Sequence, residues 1–104
     1  MPAPPRPLTV ITGGGRGIGA ATALHLARRG HDLVVGYLGD AVSAEQVTAT
    51  ARAAGVRALA VPAEVADEDA VTELFDAAAK LGEVTGLVNN AGLTAHRIAT
   101  RRPG

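Results

Sequence analysis

The chain has 104 residues, 47% of them apolar, and its ten acidic and ten basic side chains cancel to a formal net charge of zero. That length suits one ordinary domain and not two, and the lack of cysteine excludes disulfides, thiolate metal sites and cysteine nucleophiles. Aromatic residues are nearly absent and the basic residues form no long cluster, which argues against nucleic-acid binding, and no apolar run is long enough to span a bilayer.

Residues 1–7 are proline-rich, lack the apolar core of a signal peptide, and are expected to be disordered, so the expected setting is the cytoplasm. The β-branched run Leu8 to Thr12 predicts a first strand, buried on both faces. The glycine cluster Gly13-Gly14-Gly15-Arg16-Gly17 follows, and Ile18 to Arg29 reads as a helix stopped by Gly30. Asp32 to Tyr37 is the second strand and Leu38-Gly39-Asp40 a turn. Ser43-Ala44-Glu45-Gln46 has the form of a capping box for a helix running to Ala54. Val56 to Val61 is a third strand, stopped by Pro62. Asp67-Glu68-Asp69 opens a third helix, with acids at its positive end, and Val71, Leu74, Phe75, Ala78 and Leu81 recur at helical spacing on one buried face. Gly86 to Asn89 is the fourth strand. Residues 94–104 carry Arg97, Arg101 and Arg102 without periodicity and are expected to form a disordered basic tail.

Alternating strands and helices call for a parallel sheet with right-handed crossovers. The expected fold is α/β: a partial doubly wound Rossmann fold over residues 8–93, with four strands in the order 3-2-1-4 and three helices, ending before a fifth strand. The switch point of that order lies between strands one and four. A strand, a glycine-rich turn and a helix can cradle a pyrophosphate. Glycine permits a tight turn and close backbone approach, while the unpaired N–H groups and dipole of the first helical turn attract the anion.

The spacing Thr12-Gly13-x-x-x-Gly17-Ile18-Gly19 resembles the cofactor loop of the short-chain dehydrogenase/reductase family, and Asn89-Asn90-Ala91-Gly92 resembles the same family's second motif. Both motifs occur in the family's order, each just after a predicted strand. The resemblance implies an NAD(P)-dependent oxidoreductase that moves a hydride between a nicotinamide and a carbonyl or alcohol. By position, Thr12, Gly13, Gly15, Arg16, Gly17, Ile18 and Gly19 would line the pyrophosphate and adenosine side. Tyr37, Glu64 and Val65 would lie beside the adenosine, and Asn89, Asn90, Ala91 and Gly92 near the nicotinamide ribose. The family commonly has Asp where Glu64 stands. NADP(H) is favoured over NAD(H): Tyr37 stands where an acid would bond the ribose 2′-hydroxyl, and Arg16 suits a 2′-phosphate. Asp40 is a rival ribose ligand, though a turn or capping role suits it better.

The family's chemistry uses a tyrosine, a lysine four residues later and a serine. The one tyrosine, Tyr37, and the one lysine, Lys80, are nowhere near that spacing, and the single serine, Ser43, belongs to a helix start. His96 is a weak substitute proton donor, placed in the expected tail. No catalytic or metal-binding residue is therefore assigned, and the chain alone is expected to be catalytically incomplete. A non-catalytic NADP-binding or sensing module and an inert remnant are the alternative readings. Strand four is expected to present an apolar edge open to self-association.

Overall fold

The computed structural model describes residues 6–13, 15 and 17–90. Its elements alternate as expected: β1 (Leu8–Thr12), α1 (Gly17–Arg28), β2 (Asp32–Tyr37), α2 (Ala41–Ala53), β3 (Ala58–Pro62), α3 (Glu68–Leu81) and β4 (Gly86–Asn89). The sheet has the order β3-β2-β1-β4, and every pair in it is parallel. Parallel neighbours need crossovers, and the three helices supply them. β1 and β2, the two central strands, are buried almost throughout, so their sequences are continuous apolar runs and not alternating ones.

The two faces of the sheet are covered by different helices. On one, Ile11, Leu33 and Val35 pack with Ala23 and Ala27 of α1 and with Val47 and Ala51 of α2. On the other, Leu8, Val10 and Val34 pack with Leu74 and Ala78 of α3 alone. The small residues facing the sheet from α1 and α2 allow two helices to sit close on one face. α3 instead inserts a large side chain, the fully buried Leu74, with Phe75 and Leu81 partly buried against the same cluster. Gly36 makes room for Leu74: a Cβ there would lie 3.1 Å from Leu74 Cδ2. A glycine inside an apolar strand commonly marks such a close approach.

α1 (Gly17–Arg28) and the end of α2 (Ala53) lie one residue from the sequence expectation, and the starts of α2 and β3 differ by two or more. α2 starts at Ala41 and is capped by Asp40, whose carboxylate accepts from Ser43 N at 2.9 Å and from Ser43 Oγ at 2.7 Å. Ser43 is thus a first-turn residue held by the cap, and not the cap itself. A carboxylate three residues upstream can satisfy two donors at once, which the serine hydroxyl cannot. β3 begins at Ala58 and includes Pro62, because Pro62 lies on an edge strand where no ladder partner requires its missing N–H. α3 is capped as its acids suggest: Asp67 Oδ1 accepts from Asp69 N and Ala70 N at 2.9 and 3.3 Å.

The amino end of the sheet is tied by one buried charge. Asp32, 2% exposed, accepts from Arg57 N at 2.8 Å, Nε at 3.1 Å and Nη2 at 3.0 Å, with Arg6 Nη1 at 3.6 Å. A buried carboxylate must be paired, and this one joins the starts of β2 and β3. No helix among the described residues is long and apolar enough to cross a membrane.

Candidate functional site

β1 and β4 are adjacent and parallel, so both motifs emerge at the carboxyl edge of the sheet, at the crevice where the chain's direction of winding reverses. Gly13 follows β1 with φ +69°, and its N–H donates to Gly36 O of β2 at 2.9 Å. Gly17 opens α1 with φ +56°, a left-handed conformation that a Cβ makes costly. Gly15 is buried, and a Cβ on it would press on Ala44 at 3.2 Å. Gly13 and Gly15 thus place the described part of the loop in the corner between β1 and the first turn of α2.

Side chains of the second motif hold the first in place. Thr12 Oγ1 donates to Asn89 Oδ1 at 2.9 Å, and Asn90 Nδ2 donates to Gly13 O at 3.2 Å. Gly19 closes the joint from the helix side. A Cβ there would collide with the Gly13 carbonyl and reach 2.9 Å from Asn90 Nδ2. Gly19 therefore serves internal packing between helix and loop. Gly17 has open space around its missing Cβ, so the outer side of the turn can be approached.

The first turn of α1 differs from those of its neighbours. α2 and α3 are closed by Asp40 and Asp67. Residues 13–20 contain no side-chain oxygen, and the first turn of α1 carries no acid. The side-chain oxygen that caps α2 and α3 thus has no counterpart within residues 13–20, which suits these N–H groups to an external acceptor. Ile18, 72% exposed beside them, offers an apolar surface at the same mouth. The residues present fit a diphosphate: an open glycine turn, uncapped amide donors and no competing carboxylate in the helix's first turn.

The structure brings Thr12, Gly13, Gly15, Gly17, Ile18, Gly19, Asn89 and Asn90 to this one edge. Tyr37 ends β2 at the same edge and is half-buried, and its carbonyl accepts from Ala63 N at 2.7 Å. Glu64 and Val65 lie just past β3 and are exposed; the Glu64 carboxylate accepts from Ala66 N at 3.1 Å, within its own loop. Arg16, Ala91, Gly92 and His96 lie outside the described residues. Asp40, the rival ribose ligand, has both carboxylate oxygens engaged by Ser43. His31 stands at the opposite end of β2, where Nδ1 is 3.0 Å from Thr9 Oγ1. Lys80 is exposed late in α3, away from Tyr37. The sequence reading did not anticipate the packing of Ala44 on Gly15. The only signal for it was the run of small residues in α2, which is common to many buried helices.

Comparison with known proteins gives a consistent picture. A sequence profile for short chain dehydrogenases matches residues 7–102. A short chain dehydrogenase of Passalora fulva is 42% identical over 87 residues, covering 83% of this chain and 33% of that protein. A 3-oxoacyl-acyl-carrier-protein reductase of Staphylococcus epidermidis is 40% identical over 93 residues, covering 88% of this chain and 38% of the relative. The chain thus spans less than two-fifths of the length of the curated relatives it matches. Among solved structures, a short-chain dehydrogenase/reductase of Serratia marcescens superposes with a TM-score of 0.77 at 35% identity, over 81% of this chain and 35% of that one. An NAD+-bound xylitol dehydrogenase gives 0.72 at 30% identity, over 78% and 31% of the two chains. A dehydrogenase of Burkholderia cenocepacia with bound NADP gives 0.76 at 31% identity, over 81% and 33%.

Proposed function

The chain belongs to the short-chain dehydrogenase/reductase family, and from that premise we propose that it is the dinucleotide-binding part of an NADP(H)-dependent oxidoreductase acting on a carbonyl or alcohol in the cytoplasm. One observation carries this reading. The first turn of α1 has no capping side chain within reach in sequence, while the loop before it is pinned open by Thr12, Asn89, Asn90 and Gly19. A diphosphate supplies the acceptors that this turn lacks. The bound nicotinamide would supply or receive the hydride. In this reading Gly13, Gly15, Gly17 and Gly19 shape the phosphate cradle, with Thr12, Arg16 and Ile18 around it. Tyr37, Glu64 and Val65 border the adenosine, and Asn89, Asn90, Ala91 and Gly92 border the nicotinamide ribose.

The preference for NADP(H) rests on charge. Tyr37 ends β2 where a carboxylate would repel a 2′-phosphate, and the oxygens of Asp40 are turned onto Ser43. Arg16, in the loop, supplies a guanidinium for that phosphate. Tyr37 and Lys80 sit on separate elements, so the proton transfer that accompanies hydride transfer depends on groups outside this chain.

Titration of the purified chain with NADPH and NADH, followed by the fluorescence of the reduced nicotinamide, tests both levels. Saturable binding that is tighter for NADPH is the expected result. Equal or reversed affinities would overturn the preference alone, whereas no saturable binding of either would overturn the binding reading. A turnover assay with a simple carbonyl substrate should show no turnover above background; turnover would mean that the proton donor lies within these residues.

A further inference from the structure

The sheet has two outer strands, and their free edges are built differently. In a parallel ladder alternate residues of a strand bond to the same neighbour. Leu33 N donates to Arg57 O and Ala63 N donates to Tyr37 O, which with the observed register makes the odd-numbered residues of β3 face β2. The outward backbone groups therefore belong to Ala58, Ala60 and Pro62. Pro62 has no N–H to offer. The carbonyl of Ala58 is already taken, by Arg52 Nη1 at 2.8 Å, from the last turn of α2. Glu45 Oε1, two turns earlier on the same helix face, lies 4.0 Å from Arg52 Nη2. Of the three outward positions only Ala60 offers both donor and acceptor, since Ala58 has its carbonyl taken and Pro62 has a carbonyl but no N–H.

The same alternation on the other side leads to the opposite result. Thr85 N donates to Leu8 O, so Gly86 and Val88 turn their backbone groups away from β1. Among the described residues no proline or side-chain strap covers them, and Leu87 is 56% exposed on the same strand. β3 also presents an exposed apolar side chain, Leu59, at 37%. Without a block, that edge would be a pairing liability.

We infer that Arg52 and Pro62 together close the β3 edge to strand addition by a second copy of this chain. Arg52 acts here as a strap across the edge, beyond any part it has in ending α2. The inference does not rest on the cofactor assignment, and it holds whether or not a dinucleotide binds.

The absence of cysteine allows a clean test in the full chain. A single cysteine at Leu59 reports pairing of β3 edges through a short bismaleimide cross-linker, and one at Leu87 reports pairing at β4. With Arg52 in place, L59C should give cross-linked dimer only at the background level. Adding R52A should raise that yield roughly fivefold, about the effect of one net hydrogen bond regained. Adding P62T to R52A should raise it further, and R52K, which keeps a donor, should stay near the parent. The L87C yield should not respond to R52A. Equal L59C yields with and without Arg52 would overturn the inference. So would a parallel rise at both positions, because that would report general loosening of the fold; far-UV circular dichroism checks that each variant retains its helices.

Discussion

Replacing Gly19 by alanine separates steric closure of the loop from the conformational demands of glycine. A Cβ at Gly19 meets the Gly13 carbonyl oxygen and, at 2.9 Å, Asn90 Nδ2. The obstacle is backbone, not the far end of a flexible side chain, so the loop must move. Overpacking of this kind costs about 1–3 kcal/mol. The displaced Gly13 carbonyl also loses the bond from Asn90 Nδ2, now 3.2 Å long, worth about 1 kcal/mol. The expected destabilisation is about 3 kcal/mol in urea unfolding followed by circular dichroism, roughly a hundredfold in the folding constant. NADPH affinity should fall with it, because the Gly13 amide and carbonyl leave their places. Gly17→Ala and Gly30→Ala are the controls. Both glycines have positive φ, +56° and +90°, with nothing near the missing Cβ, so each substitution costs about 1–2 kcal/mol of backbone strain. Gly30 lies beyond the far end of α1, so its variant should lose stability and keep NADPH binding. If Gly19→Ala unfolds and binds like the parent, the packed joint between loop, helix and β4 does not exist as described. If it is destabilised but binds normally, the joint stands and the cofactor reading falls.

Other substitutions probe separate parts of the argument. Leu74→Ala removes the fully buried large side chain between α3 and the sheet and should cost about 2–5 kcal/mol, read as a lower urea midpoint at unchanged slope. Asp40→Ala removes the α2 cap and should cost about 1 kcal/mol with a small loss of helical signal, whereas Ser43→Ala should cost less because the Asp40 bond to Ser43 N survives. Arg57→Ala leaves buried Asp32 with the backbone N–H of residue 57 and with Arg6, and should cost about 1–3 kcal/mol, and Arg57→Lys should recover only part because the two-nitrogen contact is lost. Arg16→Ala should weaken NADPH about tenfold and leave NADH unchanged, which titration of both cofactors reads directly.

The parallel sheet was readable from alternation and handedness, which need no knowledge of individual contacts, whereas the order 3-2-1-4 and the crevice it creates came with the Rossmann pattern, since the same alternation also allows 2-1-3-4. β1 announced itself as a doubly buried strand by its β-branched run, and the apolar face of α3 by its spacing. The reading erred where two nearby residues could perform one task. Asp40 and Ser43 both suit a helix start, and only the geometry shows that the carboxylate takes the cap while the hydroxyl donates to it. It was silent where the partners are remote. Nothing in Asp32 or Arg57 alone marks a pair 25 residues apart in sequence, or an arginine from α2 reaching the outer edge of β3. The individual site residues were legible only through the resemblance, since glycines carry no chemistry of their own and their effect depends on what the fold places beside them.

What the structure adds to the two motifs is that they are one mechanical unit. Thr12 and Asn89, and Gly13 and Asn90, are each 77 residues apart, yet their bonds join the ends of β1 and β4 at the point where the loop turns outward. The conformation of the glycine loop therefore depends on β4 being docked, and the docking of β4 is reinforced by the loop. A ligand that binds only the ordered loop must by mass action stabilise the β1–β4 pairing, in proportion to the logarithm of its concentration above its dissociation constant. The same linkage runs the other way: whatever pairs with the outer edge of β4 and holds it in register will sharpen the loop for its ligand. The outer edge of β4 and the glycine loop are thus coupled, whereas the β3 edge, with Arg52 and Pro62 on it, stands apart from that coupling.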